Sequence, residues 1–136
     1  MTRILLIDDH QPVGRIVSLL LQEGVYGAAK LEQSLSLMEG LRAIAEDEPD
    51  LIFLDNYLGD VERFEPALER IRMATNAPVV LLTGLTMEEL GLDELPAGLD
   101  GYLSKTDLSV ASIESVLHRT LRNRHAGRGG TASSSV

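Results

Sequence analysis

The sequence predicts an α/β chain in which five parallel strands form one sheet with helices on both faces. Three observations carry this. Ile4-Leu5-Leu6-Ile7 and Leu51-Ile52-Phe53-Leu54 are unbroken apolar runs. A strand with one wet face alternates, so unbroken runs read as strands buried on both faces. Both runs end on carboxylates, Asp8-Asp9 and Asp55. Strand and helix patterns then alternate along the chain, which implies a parallel sheet covered on both sides. Ligands bind such sheets at the carboxyl ends of the strands, so three acids are expected at one edge.

Arg3 to Ile7 is the first strand and Asp8 to Gln11 its loop. Pro12 suits the first turn of a helix. Val13, Ile16, Val17 and Leu20 give that helix an apolar stripe, and Gly24 ends it. Val25 to Leu31 is a weaker, edge-type strand. Ser34 is the expected N-cap of a helix carrying Leu37, Met38, Leu41, Ile44 and Ala45 on one face. Pro49-Asp50 breaks it and leads into the strand that ends on Asp55. Asn56 to Asp60 is a loop. Glu62 to Ala74 is a helix burying Phe64, Ala67, Leu68 and Ile71, and Pro66 can delay its start.

Pro78 to Leu82 is the fourth buried strand and leads to Thr83-Gly84. Met87 to Leu92 is a short helix that Gly91 and Pro96 make irregular. Gly101 to Leu103 is the fifth strand, followed by Ser104-Lys105. Asp107 or Ser109 caps a last helix packing Ile113, Val116, Leu117 and Leu121. Residues 1–124 are expected to form one domain and residues 125–136 a disordered Gly/Ser-rich tail.

Composition narrows the function classes. The core is aliphatic: 44% of residues are hydrophobic, yet there are only two Phe, three Tyr and no Trp. The chain has no Cys, which excludes disulfides and thiolate metal sites. Met1-Thr2-Arg3 runs straight into a strand without a signal-peptide pattern and no apolar run reaches membrane-spanning length, so a cytoplasmic location is expected. The net charge is −9, with every acid at or before Glu114 and four Arg after it. An acidic body disfavours a sequence-independent grip on nucleic acid. The basic end suits a helix C-terminus.

Strands one, three, four and five thus deliver Asp8-Asp9, Asp55, Thr83 and Lys105 to one edge. Each alone has a bland reading as a cap, turn former, strand-end hydroxyl or surface lysine. Together they make a chemistry. Three neighbouring carboxylates repel and call for cationic compensation. Lys105 supplies one charge, and a hard divalent ion such as Mg²⁺ would supply two. The set suits phosphoryl transfer, with one carboxylate as nucleophile and the Lys and Thr on the phosphoryl oxygens.

In Asp8-Asp9, LIFLDNYLGD, VVLLTG and GYLSK, and in the spacing between them, the chain resembles the receiver domain of two-component response regulators from Arg3 to about Arg124. The resemblance implies a flavodoxin-like, doubly wound five-stranded sheet in order 2-1-3-4-5. It implies that Asp55 is the phosphoacceptor. Asp9, Asp55 and the backbone carbonyl of Tyr57 would hold Mg²⁺ (or Mn²⁺), with Asp8 acting through water. Lys105 would pair with the phosphoryl oxygens, and Thr83 and Tyr102 would act as switch residues. Tyr57 and Leu85 would tune the lifetime of the phosphoryl group. The implied partners are a sensor histidine kinase or histidine phosphotransfer protein, a downstream protein target and a second copy of the chain, with neither nucleic acid nor membrane. The domain would catalyse only its own phosphorylation and dephosphorylation.

Three positions depart from the family pattern. Thr106 follows Lys105 where the family usually has Pro, often in a cis peptide. A cis bond before a non-proline costs about 2.5–4 kcal/mol, so the expectation is a trans bond with a rearranged loop, or a strained cis bond. Gly59-Asp60 replaces a Pro-rich turn, and the fourth helix is short and punctuated. The alternatives are a pseudo-receiver that binds without being phosphorylated, or the receiver of a longer DNA-binding regulator or hybrid kinase, with a stand-alone receiver preferred. A haloacid-dehalogenase-like phosphatase would need an acid two residues after Asp55, where Tyr57 stands. A nucleotide-binding module would need a Gly-rich phosphate loop after a strand, and none is present.

Overall fold

A computed structural model describes residues 2–59 and 63–135, with side chains described up to residue 122. Five strands, β1 (Arg3–Ile7), β2 (Lys30–Ser34), β3 (Leu51–Leu54), β4 (Val79–Thr83) and β5 (Gly101–Ser104), form one sheet in the order β2-β1-β3-β4-β5. Every pairing is parallel. Among the described residues there are four helices: α1 (Gln11–Glu23), α2 (Leu37–Glu46), α3 (Phe64–Ala74) and α4 (Val110–Ser135).

The alternate residues of the apolar strands separate two cores. Leu5, Ile7, Ile52, Leu54, Val79 and Leu81 face α2 and α3. Ile4, Leu6, Leu51, Phe53, Val80 and Leu82 face α1 and α4. That double burial is why β1, β3 and β4 carry no polar alternation. Ile7 pairs in register with Leu54, and Leu54 with Leu81. The Asp55 N–H donates to the Ile7 carbonyl at 3.0 Å, so Asp8 and Asp55 leave the sheet side by side.

Several elements differ from expectation. The second strand is Lys30–Ser34, not 25–31. Val25 is 83% exposed, and residues 24–29 fold into successive turns closed by Gly27 N–H to Gly24 C=O and Ala29 N–H to Tyr26 C=O. The N-cap of α2 is Ser36, whose Oγ accepts from Glu39 N–H at 3.1 Å, while Ser34 ends β2. The stripe of α1 is Val13, Val17 and Leu21, with Ile16 exposed. On α2, Met38 and Ala45 are exposed too.

α3 buries the four residues expected of it and places Pro66 in its first turn. The expected start at Glu62 lies outside the described residues, as does Asp60. Ser109 caps α4: its Oγ accepts from Ser112 N–H at 3.0 Å, and its own N–H donates to Ser112 Oγ at 3.0 Å. The backbone of α4 continues to Ser135, where the Gly/Ser-rich composition leads to an expectation of disorder. Val136 lies outside the described residues.

The short helix expected over 87–92 is a single turn. Thr86 and Glu89 cap each other, and Leu90 N–H reaches Thr86 C=O at 3.0 Å. Gly91, at φ +75, then reverses the chain. Two arginines of the α3 region hold this β4–β5 segment. Arg63 donates to Leu90 C=O, and Arg72 to Gly98 C=O and Asp100.

Candidate functional site

The site lies at the carboxyl ends of β1, β3, β4 and β5. Asp8 is fully buried and Asp55 is 6% exposed, while Asp9 is open to solvent. Carboxylate oxygens of all three lie within 4.8 Å of one another. Lys105 Nζ stands 2.9 Å from Asp8 Oδ2 and 3.3 Å from Asp55 Oδ1. One ammonium therefore contacts two of the three acids.

Burial and the neighbouring negative charge both act on Asp55. Burial, reinforced by the Asp8 carboxylate, pushes its pKa up to about 6 against the pull of Lys105 and the Tyr57 N–H. Burial draws the Lys105 ammonium down, but its bonds to Asp8 and Asp55 outweigh this and raise it. Buried Asp8 Oδ2 is ion-paired with Lys105 at 2.9 Å and, among the described residues, has no other hydrogen-bond partner. An all-oxygen donor set with excess negative charge and an under-satisfied buried oxygen fits a hard divalent cation. Asp8, Asp9 and Asp55 are the side chains that could hold one.

Lys105 reaches this position through a trans peptide; the described residues contain no cis bond. Instead of a cis turn, Lys105–Asp107 form one turn of 3₁₀ helix. Thr106 N–H donates to Ser104 Oγ at 3.2 Å, and the two hydroxyls bond at 2.7 Å. A proline at 106 could not make the first of these bonds.

Thr83 ends β4 and is buried. Its Oγ1 accepts from Leu85 N–H at 3.2 Å, and the hydroxyl keeps a proton to donate. The half-buried Tyr102 hydroxyl donates to the Leu85 carbonyl. Leu85 thus links Thr83 and Tyr102 through its two backbone groups. The Tyr57 side chain is exposed.

Two polar residues at the site have no forecast in the sequence. Buried Asn56 follows Asp55 and accepts from Phe64 N–H at 3.1 Å, closing the β3–α3 loop onto α3. Gln33 donates from Nε2 to the carbonyls of Asp8 and His10. Adjacency to Asp55 was a usable signal for Asn56. For Gln33 only the β1–β2 register, which pairs it with Leu6, supplies one.

Comparison with known proteins places this geometry. The family model for the response regulator receiver domain matches residues 4–115. The chain is 30% identical over 133 residues to the DNA-binding dual master transcriptional regulator RpaA of Synechocystis sp., covering 94% of this chain and 54% of RpaA. It is 33% identical over 122 residues to the phosphate regulon transcriptional regulatory protein PhoB of Escherichia coli, covering 86% and 52%. The chain spans about half the length of the curated relatives it matches. A two-component response regulator from Clostridium difficile superposes with a TM-score of 0.72 at 27% identity, covering 88% of this chain and 98% of that one. A receiver domain protein from Clostridium thermocellum, at 20% identity, shares the fold with a TM-score of 0.77 over 93% of this chain and 98% of that one.

Proposed function

The chain belongs to the response regulator receiver domain family, and from that membership we propose that Asp55 is its phosphoacceptor. The observation that carries the reading is the setting of Asp55: a buried strand-end carboxylate between Asp8 and Lys105. With a pKa of about 6, Asp55 is largely ionised near neutrality and able to attack. Its oxygen bonds to the phosphorus of a phosphohistidine as the P–N bond breaks and its electron pair returns to nitrogen; the phosphoimidazole, protonated beforehand on its other ring nitrogen, leaves as neutral imidazole. Lys105 draws one phosphoryl oxygen toward itself, and the Thr83 hydroxyl donates a hydrogen bond to another.

Asp9, Asp55 and the Tyr57 carbonyl would hold Mg²⁺ (or Mn²⁺), with Asp8 beside them. When bound, the ion supplies positive charge to the phosphoryl oxygens. As Thr83 turns toward the phosphoryl group it gives up Leu85 N–H, and Tyr102, held to the carbonyl of Leu85, follows. The surface made by the β4–β5 segment, β5 and α4 then changes population between two arrangements. Tyr57 and Leu85 border the phosphoryl group and set its lifetime against water.

The donor is a sensor histidine kinase or phosphotransfer protein, and the readout is contact with a downstream protein or a second copy of the chain. The domain acts in the cytoplasm and catalyses only its own phosphorylation and dephosphorylation. The DNA-binding function in the name of RpaA belongs to a relative nearly twice as long. The test is a beryllofluoride titration with Mg²⁺, followed by amide NMR. Shifts at Asp55, Thr83 and Tyr102 in the wild type, absent from Asp55→Asn, are expected. An unchanged wild-type spectrum would favour a receiver fold that is not phosphorylated.

A further inference from the structure

We propose that Gln33 positions the Asp8–His10 turn, and with it the Asp9 carboxylate, for cation binding, and that Gly14 is small in order to admit the Gln33 amide. The inference rests on the reading of Asp8, Asp9 and Asp55 as a Mg²⁺ site.

Asp9 needs such support. Its side chain is exposed, so packing does not aim it and its direction follows from its backbone. Gln33, on the edge strand β2, reaches over that backbone. Its Nε2 donates to Asp8 C=O at 2.9 Å and to His10 C=O at 3.1 Å. A primary amide has two N–H donors, and here both are spent on the carbonyls flanking Asp9. The neighbouring bonds close the frame: Asp8 N–H to Ser34 C=O at 3.0 Å and His10 N–H to Asp8 Oδ1 at 2.9 Å. A turn held from both ends presents its carboxylate to an ion without ordering it first.

Gly14 supplies an independent observation. It sits in the first turns of α1 and is buried, although glycine is among the poorest helix formers. A Cβ built there would lie 2.0 Å from Gln33 Oε1 and 2.8 Å from Cδ. The helix has no side chain where the amide lies. Alanine at 14 would push the amide off its two carbonyls or be strained against it.

The test is an NMR-detected titration with MgCl₂ alone, following the amides of Asp9 and Asp55. It compares wild type, Gln33→Ala, Gln33→Met, Gly14→Ala and the double variant Gly14→Ala/Gln33→Ala, with a metal-free thermal melt of each. Gln33→Met keeps the length of the side chain and removes both donors. Both Gln33 variants are expected to weaken Mg²⁺ binding by about tenfold, the low end for lost outer-shell support. Gly14→Ala is expected to weaken binding in the wild type and to have no further effect in Gln33→Ala. Its effect on the melting temperature should reverse sign, lowering it in the wild type and raising it in Gln33→Ala.

A lowered melting temperature with unchanged Mg²⁺ affinity would overturn the inference, leaving Gln33 a structural residue. So would independent, additive effects of the two positions on affinity. In both cases the phosphoacceptor reading stands, because the wild type still binds. A wild type that binds no Mg²⁺ at these amides overturns the metal site and this inference together.

Discussion

At the scale of single residues, the site is built against its own electrostatics. Asp55 ends an apolar strand, is nearly buried, and faces a second buried carboxylate with one ammonium between them. Its pKa rises from 3.8 in the ordinary carboxylate to about 6 in the fold. The folded state therefore binds the Asp55 proton more tightly than the unfolded chain. The stability this gives is fully present below the unfolded value and is lost as pH rises through about 6. Without divalent ions, Asp55→Asn is expected to be more stable than wild type by about 1–2 kcal/mol near neutral pH, after discounting for solvent screening. The gap should close toward pH 4 in urea melts at several pH values. A less stable variant at neutral pH would contradict the account. The placement of Asp8, Asp55 and Thr83 at strand ends was legible in the sequence because each follows an apolar run, and that of Lys105 because it follows the short strand Gly101–Ser104. Gln33 was not, because a lone amide carries no periodic signal and its value depends on which backbone groups lie opposite; Asn56 had only its adjacency to Asp55 to mark it.

At the scale of elements, strongly patterned segments folded as read and one-sided ones did not. β1, β3 and β4 are buried on both faces and have no competing pattern. β2 lies at the sheet edge as Lys30-Leu31-Glu32-Gln33-Ser34, with only Ser34 buried, so its own pattern is weak and the sequence reads residues 25–31 as the strand, although residues 24–29 fold into turns. The segment between β4 and β5 obeys local chemistry: a Thr86/Glu89 capping pair starts a turn and Gly91 ends it. Its far end depends on Arg72, which bonds Gly98 C=O at 3.0 Å, Thr75 C=O at 3.2 Å, Ala77 C=O at 2.7 Å and Asp100 Oδ2 at 3.1 Å. Arg72→Ala is expected to cost about 1–3 kcal/mol and to speed hydrogen exchange at Val79 and Asp100, leaving β1 unaffected. Protection unchanged at both amides would show that the segment is held by its buried Leu90 and Leu99 instead.

At the scale of the whole molecule, the all-parallel strand order brings the ends of β1, β3, β4 and β5 to one edge, although residues 8 and 105 are far apart in sequence. The body of the chain carries every acid and four Arg lie beyond Glu114. The helical backbone over 123–135 contains Gly127, Gly129 and Gly130, each worth about 1 kcal/mol against a helix. We propose that this stretch adds nothing to the fold. Truncation after Arg124 should leave the melting temperature and Mg²⁺ affinity unchanged, whereas a drop in either would give the tail a structural role. The most direct test of the account is intact mass after incubation with Mg²⁺ and acetyl phosphate or a phosphohistidine donor. One acid-labile phosphoryl group on the wild type, lost in Asp55→Asn and without Mg²⁺, is the expected result. No phosphoryl group from either donor, or one that persists in Asp55→Asn, would contradict it.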